Sequence, residues 1–214
     1  MCGRYKRRSD KQRIAEMFQV SVGLDELYLD AENNIAPGSV QPVVWMNNDG
    51  DRKIEMMRWG FNLPDRLLFN ARCEGIDVAK FWSERFRTGR CIIPADTFFE
   101  WVKAAKDPKP KYEFAVLGRE PFGMAGLWSS WKNPKIDQWE DTFAVLTGDA
   151  NCVMRPVHNR QPIILEPREY AEYLAPSDRP PTHLLRVLPD EELKSQLISD
   201  DNISKQQASL FDSQ

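Results

Sequence analysis

The feature that most constrains the fold is a succession of short strand-like segments that do not alternate regularly with helices. Each segment is rich in β-branched or aromatic residues and is bounded by turn-forming residues, as is typical of strands. A doubly wound sheet needs a helix after almost every strand, so the pattern predicts an α+β fold with a mainly antiparallel, barrel-like core and peripheral helices. The predicted strands are residues 40–46, 54–59, 90–93, 97–102, 111–117, 123–129, 142–147 and 161–165.

A few helices are predicted around this core. Ser9 and Gln12 have the spacing of a capping box ahead of apolar residues at helical intervals. Asp77 is a candidate N-cap, and Pro167 is suited to the first turn of a helix. The predicted helices are residues 10–19, residues 77–86, a segment that begins at Pro167, and a last short helix at residues 190–198.

The length of 214 residues allows one well-buried core. We predict a single domain over residues 1–198 and a polar, flexible tail over residues 199–214. No apolar run approaches the roughly 18 residues needed to cross a bilayer. The basic start of the chain is not followed by an apolar segment, so no secretory signal is predicted. These features together predict a cytoplasmic protein that does not interact with membranes, and we expect a monomer.

The net charge of −3 by itself argues against a protein that binds nucleic acid without regard to sequence. The charges are unevenly distributed, however. Residues 1–13 carry six basic side chains and one acid, whereas residues 190–214 carry six acids and two lysines. A basic surface can therefore coexist with an acidic end of the chain.

Four cysteines are scattered along the chain without a CxxC pair or a histidine at ligand spacing. This arrangement predicts neither a disulfide framework nor a zinc site. Cys73, Cys91 and Cys152 are interpreted as small buried hydrophobic residues. The sequence therefore predicts no metal and no cofactor.

Cys2 is different because removal of Met1 would leave it with a free α-amine beside its thiol. Such an amine has an ordinary pKa of about 7.7–8.0 and such a thiol about 8.5, so both are partly deprotonated near neutral pH. The amine can capture an aldehyde as an imine, and the thiol can then close a five-membered thiazolidine. An internal cysteine cannot perform this reaction.

Three further segments carry candidate site residues. In an extended strand, Asn70, Arg72 and Glu74 would share one face. Glu100 stands among aromatic residues, where burial would raise its pKa and suit it to acid–base chemistry, unless it faces solvent. His158 is one of only two histidines and the better placed for chemistry.

Together these segments resemble the SOS-response-associated peptidase (SRAP) family, also described as abasic-site-processing proteins that crosslink to DNA. The matching pieces occur in the family's order and span the chain from Cys2 to about Leu165. They are residues 1–4 (MCGR), 34–37 (NIAP), 59–60 (WG), 70–74 (NARCE), 90–95 (RCIIPA), 99–101 (FEW), 125–128 (AGLW) and 158–162 (HNRQP). Gly75 and Gln161 depart from the family pattern beside the site.

The resemblance implies an enzyme that binds single-stranded DNA and joins Cys2 to the aldehyde of an abasic site. The implied catalytic set comprises Cys2, Asn70 as the residue that orients it, and Glu100 and His158 as proton donors and acceptors. The implied DNA-binding residues are Arg4, Arg72 and Arg160, which would meet phosphates, and Trp59, on which bases would stack. Peptidase activity that removes Met1 and strand scission by a lyase reaction are also implied.

Two other functions remain open at this level. Amidohydrolases with an N-terminal nucleophile also begin Met-Cys-Gly, and there the thiol attacks a carboxamide. A non-catalytic module that binds single-stranded DNA reversibly would leave no covalent product and would be sensitive to salt.

The tail contains a short motif, residues 207–211 (QASLF), that resembles the peptide by which bacterial repair proteins bind the sliding clamp. Gln207 would anchor it by hydrogen bonds, and Leu210 and Phe211 would fill an apolar pocket. The alternative is a terminus without a partner.

Overall fold

In the computed structural model, which describes residues 2–102 and 109–198, short β-strands dominate the chain. The α+β class is confirmed. The strands are β1 (Arg4–Arg7), β2 (Glu32–Ile35), β3 (Val40–Met46), β4 (Arg52–Trp59), β5 (Phe61–Asn62), β6 (Leu67–Leu68), β7 (Asn70–Arg72), β8 (Arg90–Ala95), β9 (Thr97–Trp101), β10 (Lys111–Val116), β11 (Phe122–Asn133), β12 (Gln138–Asp149), β13 (Arg160–Pro162), β14 (Ile164–Leu165) and β15 (Leu193–Ile198). The helices are α1 (Lys11–Phe18), α2 (Ser83–Thr88) and α3 (Tyr170–Leu174).

Five strands close into a barrel-like ring in the order β12-β4-β3-β8-β11, with β11 pairing again with β12. All neighbours in the ring are antiparallel except β12 and β4, which run parallel through Thr142 opposite Arg58. Closure removes the exposed edges that an open sheet would present. The predicted barrel-like core is thereby confirmed.

A second, five-stranded antiparallel sheet has the order β15-β10-β9-β1-β2. One face of this sheet contributes Tyr5, Phe98 and Phe114 to a hydrophobic cluster that also contains Trp59 and Phe143 of the ring. The two sheets therefore share a core, and β1 is an interior strand of its sheet, between β9 and the edge strand β2. This position fixes the chain immediately after Cys2.

The helices cover a second hydrophobic cluster on the opposite side of the ring sheet. Phe18 of α1, Phe86 of α2 and Tyr173 of α3 pack there with Ile92 and Leu127, which lie on ring strands. Side chains of successive strand residues point to opposite faces, so β8 and β11 serve both clusters.

The first helix matches its prediction within one residue at each end, but its cap differs. Asp10, not Ser9, is the N-cap, and its side chain accepts a hydrogen bond from the backbone N–H of Arg13. Ser9 instead donates its hydroxyl to Asp96 at 2.6 Å. The prediction at Pro167 is confirmed, because a 3-10 turn starts there and continues into α3.

The helix predicted for residues 77–86 is wrong. The helix comprises only Ser83–Thr88, and the preceding residues form turns around Gly75, whose φ is +66°. The rings of both Phe81 and Trp82 contact Phe61 edge-on. Neighbouring residues of a regular helix point about 100° apart, so these two contacts do not suit one continuous helix.

The helix predicted for residues 190–198 is also wrong. A 3-10 turn at Asp190–Glu192 leads into β15, which pairs with β10 from Leu193 opposite Val116 to Ile198 opposite Lys111. Along β15 only Leu193 is buried, so the segment lacks the alternation that marks a strand in sequence. Backbone pairing with β10 decides its conformation.

Candidate active site at the amino terminus

Cys2 lies immediately before β1 and is fully buried in the hydrophobic cluster between the sheets. The register of β1 is set on one side by Arg4 opposite Phe99 and on the other by Tyr5 opposite Ile35. The terminus is therefore held by two ladders of backbone hydrogen bonds.

Asp96 anchors the far end of β1, and no sequence pattern singles it out. This buried carboxylate accepts hydrogen bonds from the backbone N–H groups of Arg8 and Ser9 and from the Ser9 hydroxyl. An aspartate that accepts hydrogen bonds from backbone N–H groups is typical of turns, but many aspartates in a sequence share this tendency. Asp96 thereby positions the strand that carries Cys2.

Asn70 binds Cys2 directly. Its Nδ2 donates a hydrogen bond of 2.9 Å to the carbonyl oxygen of Cys2. Asn70 begins β7, which pairs in parallel with β12 through Asn70 opposite Val145. The amide oxygen Oδ1 of Asn70 is also buried, and among the residues that the structure describes it has no hydrogen-bond partner. Asn70 thus offers a hydrogen-bond acceptor next to Cys2.

Glu100 lies on β9, with 6% of its surface exposed, and accepts a 3.3 Å hydrogen bond from the backbone N–H of Trp101. Burial raises the pKa of its carboxyl above the ordinary value. A carboxyl with a raised pKa can hold and return a proton nearer neutral pH, as acid–base chemistry requires. Glu100 is thus the buried acid that sequence analysis predicted.

The thiol of Cys2 is strongly perturbed. Burial, with a smaller contribution from the negative charge of Glu100, raises its pKa to about 12. At neutral pH the thiol is therefore protonated in the chain that retains Met1. Glu100 therefore acts on the Cys2 thiol through its charge.

His158 lies in the connection between β12 and β13. Its Nδ1 accepts a 3.0 Å hydrogen bond from the backbone N–H of Arg160, so in the neutral ring the hydrogen resides on Nε2. β13 and β7 both pair with the final residues of β12, through Asp149 and Thr147 respectively. His158 therefore belongs to the same end of the ring as β7, while Cys2, Asn70 and Glu100 form the directly coupled set.

Arg160 does not have the surroundings of a phosphate-binding residue. Its guanidinium is buried and binds both carboxylate oxygens of Glu74, at 2.6 and 2.8 Å, together with Asp149 at 3.1 Å. It also donates to the carbonyl of Thr147. Since the charge is already neutralised by protein carboxylates, we correct its predicted role: Arg160 connects β13 to the segment after β7.

Trp59 requires a similar correction. Its ring is fully buried, 5.3 Å from Tyr5 and stacked 6.2 Å from Phe143, and its Nε1 donates to the carbonyl of Phe69. No face of this ring is available to a DNA base. Trp59 is a core residue that joins the two sheets, and sequence proximity to Gly60 could not reveal this.

The other two predicted DNA-binding residues remain accessible. Arg72 ends β7 and is exposed, and Arg4 on β1 is partly exposed, with Nη1 donating to the carbonyl of Gly3 at 2.9 Å. They flank Asn70 and Cys2 respectively, each two residues away along the chain. Either guanidinium can meet an anion that approaches the site.

No group of histidine, cysteine, aspartate or glutamate side chains within residues 2–102 and 109–198 is arranged to hold a metal ion. Within the same residues, no helix is long and apolar enough to cross a membrane. The tail motif with Gln207, Leu210 and Phe211 lies outside the described residues.

Comparison with protein families places the whole described part of the chain in one family. The family described as "SOS response associated peptidase (SRAP)" matches residues 1–204. The chain belongs to the SRAP family. The expected resemblance is confirmed.

Named relatives of this SRAP chain include the abasic site processing protein YoqW of Bacillus subtilis, which is 30% identical over 198 residues, covering 88% of this chain and 86% of YoqW. The abasic site processing protein YedK of Escherichia coli is 26% identical over 183 residues, covering 81% and 79%. A crystal structure of a protein from Bacteroides thetaiotaomicron has the same fold, with a TM-score of 0.79 at 22% identity over 95% of this chain and 94% of that one.

Proposed function

We propose that this SRAP protein forms a covalent thiazolidine between Cys2 and the aldehyde of an abasic site in single-stranded DNA. Membership of the family, whose named relatives are abasic site processing proteins, supports a role in abasic-site processing. The observation that carries the finer proposal is the contact of Asn70 with Cys2 beside the buried acid Glu100. The crosslink would shield the lesion from strand cleavage.

The reaction requires Met1 to be removed, because the attacking group is the α-amine of Cys2. The amine adds to the aldehyde carbon, and the adduct loses water to give an imine. Glu100 gives a proton to the departing hydroxyl and His158 assists opening of the sugar ring by proton transfer. The S–H bond of Cys2 then adds across the C=N bond, with sulfur bonded to carbon and hydrogen to nitrogen. One water is lost overall.

The protonated thiol fits this order of events. A buried thiol with a raised pKa is a poor first nucleophile at neutral pH, so we propose that the amine acts first. Asn70 holds the carbonyl of Cys2, and its Oδ1 can accept a hydrogen bond from the amine as the adduct forms. Holding reactants in place is a large part of catalysis.

Single-stranded DNA fits the charges around this site. Arg4 is two residues from Cys2 and Arg72 two residues from Asn70, so each can pair with a phosphate beside the lesion. A single strand can fold its bases away from the site, which a duplex cannot do without unpairing.

The test is incubation of the protein with an oligonucleotide that contains one abasic site. The intact mass of the product should equal protein without Met1 plus oligonucleotide minus one water. C2A should form no product, and an extension in front of Cys2 that is not removed should also prevent it. An equally stable product with C2S would contradict the thiazolidine, and a reversible complex alone would favour the non-covalent binding module.

Hydrolysis of glutamine by the wild-type protein would favour the competing amidohydrolase function, so this assay is run on the same protein.

Removal of Met1 by the protein itself is the peptidase activity that we propose in addition. If Glu100 takes part, E100Q should retain Met1 when the protein is produced without a methionine aminopeptidase. Strand scission at the abasic site, the lyase activity that we also propose, is measured as shortened oligonucleotide on denaturing gels of the crosslinking reactions.

We further propose that the tail motif binds the sliding clamp. A pull-down with the clamp should succeed for the full chain and fail when residues 206–214 are removed. No binding by the full chain would end this proposal.

A further inference from the structure

The outer face of the five-stranded sheet carries basic side chains on β1, the strand that follows Cys2, and on β10. Phe98 and Phe114 point inward to the core, so Phe99 and Trp101 lie on the other face. On that face Arg4 of β1 is opposite Phe99 of β9, and Lys111 of β10 is opposite Trp101 of β9.

Lys111 is held in place by aromatic rings. Its ammonium lies 4.1 Å from the centre of the Phe99 ring and 5.4 Å from that of Trp101. Such cation–π contacts restrict a flexible lysine without neutralising its charge. A charge fixed in advance loses less conformational entropy when it binds an anion.

The positive charge on this face is only partly compensated. Glu113 is the nearby carboxylate, and it is bound by Lys6 at 2.6 Å and by the Thr97 hydroxyl at 2.7 Å. Within residues 2–102 and 109–198, no carboxylate forms an ion pair with Arg4 or Lys111. Partial burial lowers the pKa of Lys111, and Arg4 and Lys6 lower it further against the opposing effect of Glu113. An anion bound here would relieve this repulsion.

We infer that Arg4 and Lys111 together bind one phosphate of the DNA strand beside the abasic nucleotide, on the outer face of the sheet. The inference rests on the proposed function and adds Lys111, which belongs to no motif that sequence analysis recognised. Lys111 is a binding residue and takes no part in proton transfer. The DNA strand therefore runs from Cys2 across β1, β9 and β10.

The test uses K111Q and a matched control, K53Q. Lys53 also lies over an aromatic ring, 5.6 Å from that of Trp45, but on the ring sheet and paired with Glu55 at 3.2 Å. Affinity is measured by fluorescence anisotropy with an oligonucleotide that carries a tetrahydrofuran abasic analogue. This analogue has no aldehyde, so binding stays reversible.

K111Q should weaken binding several-fold and reduce the slope of log affinity against log salt by about 0.7, the value for one phosphate of a single strand. K53Q should match wild type in both quantities. The loss should disappear for an oligonucleotide in which the nucleotides on one side of the analogue are removed, and persist when those on the other side are removed.

Binding by K111Q that equals wild type in affinity and salt slope would overturn the inference. A loss that is the same for both truncated oligonucleotides would also overturn it, since a general field would then be responsible. Crosslinking of wild-type protein to a genuine abasic site is recorded in parallel. Its absence would refute the proposed function separately, whatever K111Q does.

Discussion

Asn70 and Cys2 are joined by a 2.9 Å hydrogen bond that spans 68 residues of sequence, from the amide Nδ2 of Asn70 to the carbonyl oxygen of Cys2. The bond connects the first residues of the five-stranded sheet to β7, which extends the ring sheet. The position of the reactive terminus therefore depends on both sheets.

Replacing Asn70 should reduce both stability and crosslinking. N70A leaves the buried carbonyl of Cys2 unpaired, which costs about 1–3 kcal/mol of folding free energy. We expect the crosslinking rate to fall about tenfold or more, because a loss of about 1.4 kcal/mol in transition-state stabilisation has that effect. Thermal unfolding and a time course of product formation measure the two quantities.

The control for this experiment is N133A. Asn133 is also buried and donates Nδ2 to Glu140 at 2.8 Å, near the turn between β11 and β12. It should lower stability without slowing the crosslink. Equal crosslinking by N70A and wild type would remove Asn70 from the active site.

Arg160 and Arg72 should behave differently when each is changed to glutamine. R160Q loses the paired hydrogen bonds to Glu74 and should lower the unfolding free energy by about 1–3 kcal/mol. Because solvent screens the exposed Glu74 carboxylate, we expect a value near the lower end of that range. R72Q should leave stability nearly unchanged and reduce the salt dependence of DNA binding by about 0.7 in log–log slope. Denaturant unfolding and salt titrations separate the effects, and a reduced salt slope for fully folded R160Q would restore its predicted role in DNA binding.

Alkylation of Cys2 should show its raised pKa in protein that retains Met1. With a pKa of about 12, the iodoacetamide rate should increase about tenfold per pH unit from pH 7 to 10, without levelling off. E100Q should accelerate the reaction at each pH, because the Glu100 charge contributes to the shift. Peptide mass mapping assigns the label. A plateau near pH 9 would show an ordinary thiol.

Glu100 should make stability fall as pH rises. Its pKa is higher in the folded than in the unfolded protein, so between the unfolded value of about 4.3 and the folded value the native state binds more protons. Wild type is therefore progressively destabilised through that window relative to E100Q, which cannot ionise. The Tm of E100Q minus that of wild type should be positive at pH 8 and shrink towards pH 4. A difference that grows as pH falls would show that the carboxyl is stabilised in its charged form.

Much of the strand content could be predicted because it depends on local patterns. Residues 40–46 form β3 as predicted, and β8, β9 and β10 lie within two residues of their predicted bounds. Turn residues and β-branched runs act over short distances in the chain. The chemistry of Cys2 could also be stated in advance, since a terminal aminothiol is a covalent property of the residue.

Tertiary structure alone decided which charged groups and aromatic rings are accessible to a DNA strand. Arg160 and Arg72 look alike in sequence, yet Glu74 and Asp149 neutralise the first and leave the second exposed. Trp59 is buried because the two sheets meet on its ring, and β15 is a strand because β10 has a free edge for it. Burial and ion pairing depend on groups that are distant in sequence, and a local pattern carries no information about those partners.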